Sequence, residues 1–143
     1  MNNKNHQESK FYKKLKATFP LWEFYRIENT LSSGFPDLLM VPAGGTPWFI
    51  ELKSLDFDKV DLRPQQFSFM DQRYRKARRS LLQAGVMNGD FKNDVFCLWR
   101  YPFDIKIGPR AVRITSEPTF QCKLSWLNTQ PENLIDILQH GRI

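Results

Sequence analysis

Apolar side chains recur along this chain in two rhythms, one helical and one alternating. Phe11, Tyr12 and Leu15 form one helical stripe while Lys10, Lys13, Lys14 and Lys16 fall mostly elsewhere, which predicts a helix over about residues 6–18. Trp22 to Ile27 reads as a strand, followed by a loop, Asn29 to Gly34. Leu38-Leu39-Met40-Val41 and Trp48-Phe49-Ile50-Glu51-Leu52-Lys53 read as two further strands, with the turn formers Pro42-Ala43-Gly44-Gly45-Thr46 between them. Phe67, Met70, Tyr74, Ala77 and Leu81 recur at helical spacing and predict a long helix from about Pro64 to Gln83 with this stripe buried. Pro64 suits its first turn. Asn88-Gly89-Asp90 reads as a turn, Asp94 to Arg100 as a strand, and Ile105 to Thr115 as a strand or hairpin. A short helix bearing Leu134, Ile135 and Leu138 is expected to start near Thr129. The pattern predicts an α/β, or mixed α+β, fold: a central mixed sheet, begun by an antiparallel hairpin and flanked by the first helix and the helix at Pro64.

Two of these strands carry charge where charge is expensive. Trp48, Ile50 and Leu52 occupy one face, and Phe49 shares the other with Glu51 and Lys53. Strands apolar on both sides are central and buried. A buried charge needs a partner or an ion. A hairpin centred near Gly44 sets Asp37 opposite Glu51, and any register with an even residue sum puts Asp37 on the face of Glu51 and Lys53. A slip by one residue moves it to the other face. Two carboxylates and an amine on one face are the groups that bring a divalent cation and a water to a phosphodiester.

At these residues the chain resembles a known family. Gly34-Phe35-Pro36-Asp37-Leu38-Leu39, then Phe49-Ile50-Glu51-Leu52-Lys53, then Leu62-Arg63-Pro64-Gln65-Gln66, look like the PD-(D/E)XK nuclease superfamily. Within it they are most similar to the VRR-NUC type, which has stand-alone versions similar to Holliday junction resolvases. The resemblance covers roughly residues 6–100. It implies a restriction-endonuclease-like sheet and a DNA endonuclease dependent on Mg²⁺, with Mn²⁺ able to substitute. Asp37 and Glu51 would hold the ion, helped by the backbone carbonyl of Leu52. The family places an additional acid in the first helix, and Glu8 is the position that fits; Glu8 also reads as a helix-start acid favoured by the macrodipole. Glu28 is a second candidate. Lys53 would position the water and offset charge growing on the phosphate. Gln66 matches the family's Gln and could hold Lys53, a water or a phosphate.

Composition sharpens the partner. The 143 residues carry 21 Lys plus Arg against 15 acids, a formal charge of +6. That favours a polyanion. Arg63, Arg73, Arg75, Lys76 and Arg79, with Arg78 beside them, are the expected phosphate contacts, or else a solvated basic face. Cys97 and Cys122 have no metal-ligand spacing and read as buried reduced thiols of a cytoplasmic protein. His6 and His140 lie near opposite ends, which argues against a histidine-built zinc or hydrolase site. No apolar run is long enough to span a membrane. Asp56, Asp58 and Asp61 lack the glycine and terminal glutamate of a calcium loop.

The chain is expected to be one nuclease domain without a separate reading module, so DNA shape is the expected cue: Holliday junctions, flaps or ends. A homodimer would match the twofold symmetry of a four-way junction. A flap or restriction-type nuclease, and a catalytically silent DNA-binding module on the same fold, remain alternatives. Residues from Tyr101 onward match no motif.

Overall fold

The structure is a computed structural model. It describes residues 3–27, 34–53, 59–76, 83–90, 93–129, 134 and 136; the side chains of 3–8 and 128 lie outside that description. The elements follow in the order α1 (Asn3–Thr18), β1 (Glu23–Arg26), β2 (Leu38–Val41), β3 (Trp48–Lys53), β4 (Val60–Leu62), α2 (Pro64–Lys76), β5 (Gln83–Asp90), β6 (Val95–Arg100), β7 (Ile105–Ile107), β8 (Val112–Ile114), β9 (Phe120–Lys123) and α3 (Leu124–Thr129). Six strands make a mixed sheet in the order β1-β2-β3-β5-β6-β9, and β4-β8-β7 make a second, smaller one. Among the described strands of this sheet, only β3 and β5 run parallel. A parallel neighbour needs a crossover, and β4 with α2 supplies it.

Each face of the main sheet carries its own core. On one, Phe11, Leu15 and Phe19 of the α1 region pack with Trp48, Ile50, Leu52, Met87 and Phe96, joined by Leu124, Leu127 and Leu134. On the other, Met70 of α2 packs with Val86, Cys97 and Trp99, under Val60, Leu62, Val112 and Ile114 of the small sheet. This explains the doubly apolar β3: Trp48, Ile50 and Leu52 lie in one core and Phe49 packs on the other.

The β2–β3 hairpin has the expected register. Leu38 pairs with Ile50, Leu39 with Phe49 and Met40 with Trp48. Each pair sums to 88, as do 37 and 51. Gly44 sits at the centre with φ 73° and open space around its Cα, so a left-handed turn explains this glycine. Gly34 serves a different purpose. A Cβ there would lie 2.8 Å from the carbonyl oxygen of Gln65. Its bare backbone lets the segment leading to Asp37 press against the start of α2.

Three expectations are corrected. Gln83 belongs to β5 and not to the helix, whose described part ends at Lys76. Ala77, Leu81, Arg78 and Arg79 lie outside the described residues. Tyr74 is not core: it is 51% exposed, with its ring against the edge of Tyr101 just past β6. Asn88-Gly89-Asp90 is no turn but the end of β5, paired with Cys97, Phe96 and Val95 of β6. Asn and Gly are poor strand formers, but flanking strands on both sides override that preference, and the Phe11 ring occupies the space a side chain on Gly89 would need. The hydrophobic pattern also does not mark β4, β9 or α3, and Val60 and Asp61, which read as part of a solvated loop, belong to β4. The hairpin expected between Ile105 and Thr115 is present as β7 and β8. Most of the helix expected after Thr129 lies outside the described residues, though Leu134 is buried in the α1-side core. Glu28 and the loop 54–58 also lie outside them.

Candidate active site

The hairpin register carries Asp37, Glu51 and Lys53 to the face covered by α2. Asp37 is the last residue before β2. Its carbonyl accepts the Ile27 N–H at 2.9 Å, which extends the β1–β2 ladder by one step. Its Oδ2 accepts the backbone N–H of Leu52 at 2.9 Å. A strand residue turns its N–H and C=O to the same side. The Leu52 carbonyl therefore also faces the Asp37 side of β3.

Glu51 is only 3% exposed and Lys53 7%. The Lys53 Nζ lies 3.9 Å from Glu51 Oε1, a long ion pair. The stronger hold on Glu51 comes from Gln66, itself 4% exposed, whose Nε2 donates to Glu51 Oε1 at 2.8 Å. The other end of that amide is also fixed, because Gln66 Oε1 accepts the Arg63 N–H at 2.9 Å. Arg63 precedes the helix and Pro64 opens it, so Gln66 is the third helical residue. Its reach back to the residue before the helix is one half of a capping box. One side chain thus both starts α2 and fixes the carboxylate. The sequence marked Gln66 through resemblance; its capping role adds a local reason for a glutamine there.

Asn88 completes the wall of the site. It pairs with Lys53 across the parallel β3–β5 ladder, on the same face, and it is buried. Sequence reasoning missed it, because placing it in a turn gave it no neighbour. Its only signal was a polar residue directly following the apolar Val86 and Met87.

The remaining expected residues stand apart. α1 carries Glu8 and packs on the opposite face of the sheet through Phe11 and Leu15; the Glu8 side chain is outside the described residues. Arg63 is exposed at the mouth of α2. Arg75 is drawn to Asp71 at 3.0 Å, and Asp71 also accepts the Tyr101 hydroxyl at 2.6 Å. Burial and that carboxylate push the Tyr101 hydroxyl well above its ordinary value. Arg73 lies over the Phe69 ring, and Lys76 is exposed. Cys97 and Cys122 are free thiols. Burial pushes the Cys97 thiol up to about 12, with Cys122 and Asp90 adding to it.

The donor set of Asp37, Glu51 and the Leu52 carbonyl is all oxygen and fits a hard divalent cation. Among the described residues no three His, Cys, Asp or Glu side chains converge on one point. Mg²⁺ is commonly held by one or two carboxylates and completes its shell with water and phosphate oxygens, so a two-carboxylate site suits it. The adjacent amine suits an anionic substrate.

A mixed central sheet flanked by helices, begun by an antiparallel hairpin and continued through a parallel crossover, is the restriction-endonuclease-like fold. Among solved structures the chain is similar to Hjc, a Holliday junction resolvase from the archaeal hyperthermophile Archaeoglobus fulgidus. The TM-score is 0.51 and the identity 16%, over 78% of this chain and 85% of that one. No family model and no curated protein matches the chain. No helix among the described residues is long and apolar enough to cross a membrane.

Proposed function

We propose that this chain is a divalent-metal-dependent DNA endonuclease of the PD-(D/E)XK superfamily, of the VRR-NUC type, that hydrolyses phosphodiesters in branched DNA. The observation that carries the reading is the convergence of Asp37, Glu51 and Lys53 on one face of adjoining strands, with Gln66 clamping Glu51. The resolvase fold of its structural neighbour supports it.

Asp37, Glu51 and the Leu52 carbonyl would hold the cation. When bound, Mg²⁺ neutralises the scissile phosphate and lowers the pKa of a water on it. The Leu52 N–H fixes one oxygen of Asp37, and the Gln66 amide fixes one of Glu51. Both carboxylates are therefore oriented before substrate arrives, so the reaction costs little reorganisation. Lys53 positions the water and meets negative charge as it grows on the phosphate. The burial of Glu51 and Lys53 strengthens these interactions. The exposed Arg63 and Lys76 would contact phosphates beyond the reacting one. Two copies of the chain would present two such sites to a four-way junction.

Incubation of the purified protein with linear, flapped and four-way-junction DNA, with and without Mg²⁺, tests the reading. Cutting that needs Mg²⁺ and favours branched DNA is expected, and Asp37→Ala should abolish it while keeping much of the binding. Salt-sensitive binding with no cutting under any condition would mark a silent DNA-binding module. Equal cutting of all three substrates would contradict the preference for branches.

A further inference from the structure

In the small sheet, the β7–β8 hairpin carries an apolar side chain out into solvent. The hairpin is rooted in the core: Val112 and Ile114 are buried with Leu62, and Ile105 packs on the same cluster. Ile107 lies two residues beyond Ile105 and so on the same face of the ladder, yet it is 74% exposed. The core ends before it. The turn closes where the Gly108 N–H donates to the Ala111 carbonyl at 2.9 Å, with Pro109 and Arg110 exposed at the apex. From Ile105 to Ile114 the chain carries Lys106, Arg110 and Arg113 and no acid. Arg113 is held by Asp61 at 3.0 Å, whereas Lys106 and Arg110 extend into solvent.

Strand register places this tip. Ile107 pairs with Val112, and Val112 with Leu62. Two strand spacings separate Ile107 from Leu62, about 10 Å. Leu62 leads directly into Arg63, whose N–H is held by Gln66, which in turn holds Glu51. The tip thus stands roughly three base steps along a duplex from Leu62, the residue that leads into the Arg63–Gln66–Glu51 chain of hydrogen bonds.

We propose that this tip is a DNA wedge: Ile107 and Pro109 press against an unstacked base step at a branch, and Lys106 and Arg110 take the flanking phosphates. The inference rests on the reading of the site as a DNA nuclease and adds how branched DNA is told from plain duplex. An apolar wedge entering a continuous duplex must unstack a step, which is unfavourable. A branch point exposes base faces without that cost. Two cations on an acid-free hairpin match the phosphates on either side.

Wild type, Ile107→Ala and the double variant Lys106→Gln/Arg110→Gln would be compared on a four-way junction and a linear duplex of equal length. Binding is read by fluorescence anisotropy without divalent cations, with 2-aminopurine at the branch and thermal midpoints as the folding control. Wild type should prefer the junction and brighten the 2-aminopurine. Ile107→Ala should weaken junction binding about tenfold, leave duplex binding unchanged and lose the brightening. The charge variant should weaken both and lower the salt slope by up to about 2. Unchanged junction binding by Ile107→Ala, an equal loss on both DNAs, or no DNA binding by wild type overturns the wedge. Cleavage in Mg²⁺ is scored separately. A wild type that never cuts, with Ile107→Ala still losing its junction preference, sinks the nuclease and keeps the wedge. A wild type that cuts, with Ile107→Ala cutting at the same preference, does the reverse.

Discussion

Gln66 should be worth more to stability than a helix-start glutamine usually is. Replacing it with leucine keeps similar volume and removes both polar ends. Glu51 Oε1 loses its 2.8 Å donor and the Arg63 N–H loses its 2.9 Å acceptor. The first bond involves a buried carboxylate, for which about 1.5–3 kcal/mol is usual, and the second is an ordinary cap contact of about 0.5–1 kcal/mol. Gln66→Leu should therefore cost about 2 to 4 kcal/mol, a large part of the stability of about 5–15 kcal/mol typical of a domain. That corresponds to a fall of about 10 °C in Tm for a chain of this size. Gln66→Glu adds a direction. A second carboxylate against Glu51 raises the folded-state pKa of the pair, since two like charges in contact resist ionising together. Stability is then retained below the ordinary carboxylate range and lost as pH rises through the raised value. Urea denaturation followed by tryptophan fluorescence at pH 5 and pH 8 measures both. A Gln66→Leu variant within about 0.5 kcal/mol of wild type, or a Gln66→Glu variant with no pH dependence beyond wild type, would refute the clamp.

Other outcomes follow from the packing. Gly34→Ala should cost about 1–3 kcal/mol in urea denaturation, because its Cβ would meet the Gln65 carbonyl, a backbone atom that cannot swing aside. Gly44→Asn, at an open turn with φ 73°, should stay within about 1 kcal/mol; equal costs at the two positions would refute the distinction. Cys97 should make stability fall at alkaline pH. Its thiol, raised from 9.0 to about 12, keeps its proton in the folded chain while the unfolded chain releases it. Stability is then full below pH 9 and lost as pH rises toward 12. Relative to Cys97→Ala, wild type should lose about 1 kcal/mol by pH 10, and a pH-independent difference would count against the burial argument.

The hairpin and its charges were legible because strand alternation is strict. Once Gly44 centred the turn, parity alone decided which face Asp37 shares, and the coordinates agree residue for residue from Leu38 to Met40. The start of α2 was legible from Pro64. What escaped depends on neighbours distant in sequence. β5 is written Gln-Ala-Gly-Val-Met-Asn-Gly-Asp, with few residues that favour a strand, and it is a strand because β3 and β6 flank it. The helical spacing up to Leu81 hid where it begins. Tyr74 keeps the period of the α2 stripe but lies against the ring of Tyr101, past the end of β6, and stays 51% exposed. Asn88 then appears beside Lys53 only once β5 is paired. Glu8 cannot be judged from spacing, since its reach depends on how the first turn of α1 lies against the end of the sheet.

The most direct measurement is Mn²⁺ binding, followed by electron paramagnetic resonance on wild type, Asp37→Asn and Glu51→Gln without DNA. If the two carboxylates share one ion, wild type takes up Mn²⁺ and each substitution alone weakens that uptake at least about tenfold, as the loss of a charged ligand should. Full Mn²⁺ affinity in Asp37→Asn, with Glu51→Gln abolishing it, would show that the residues flanking the hairpin do not form a common site.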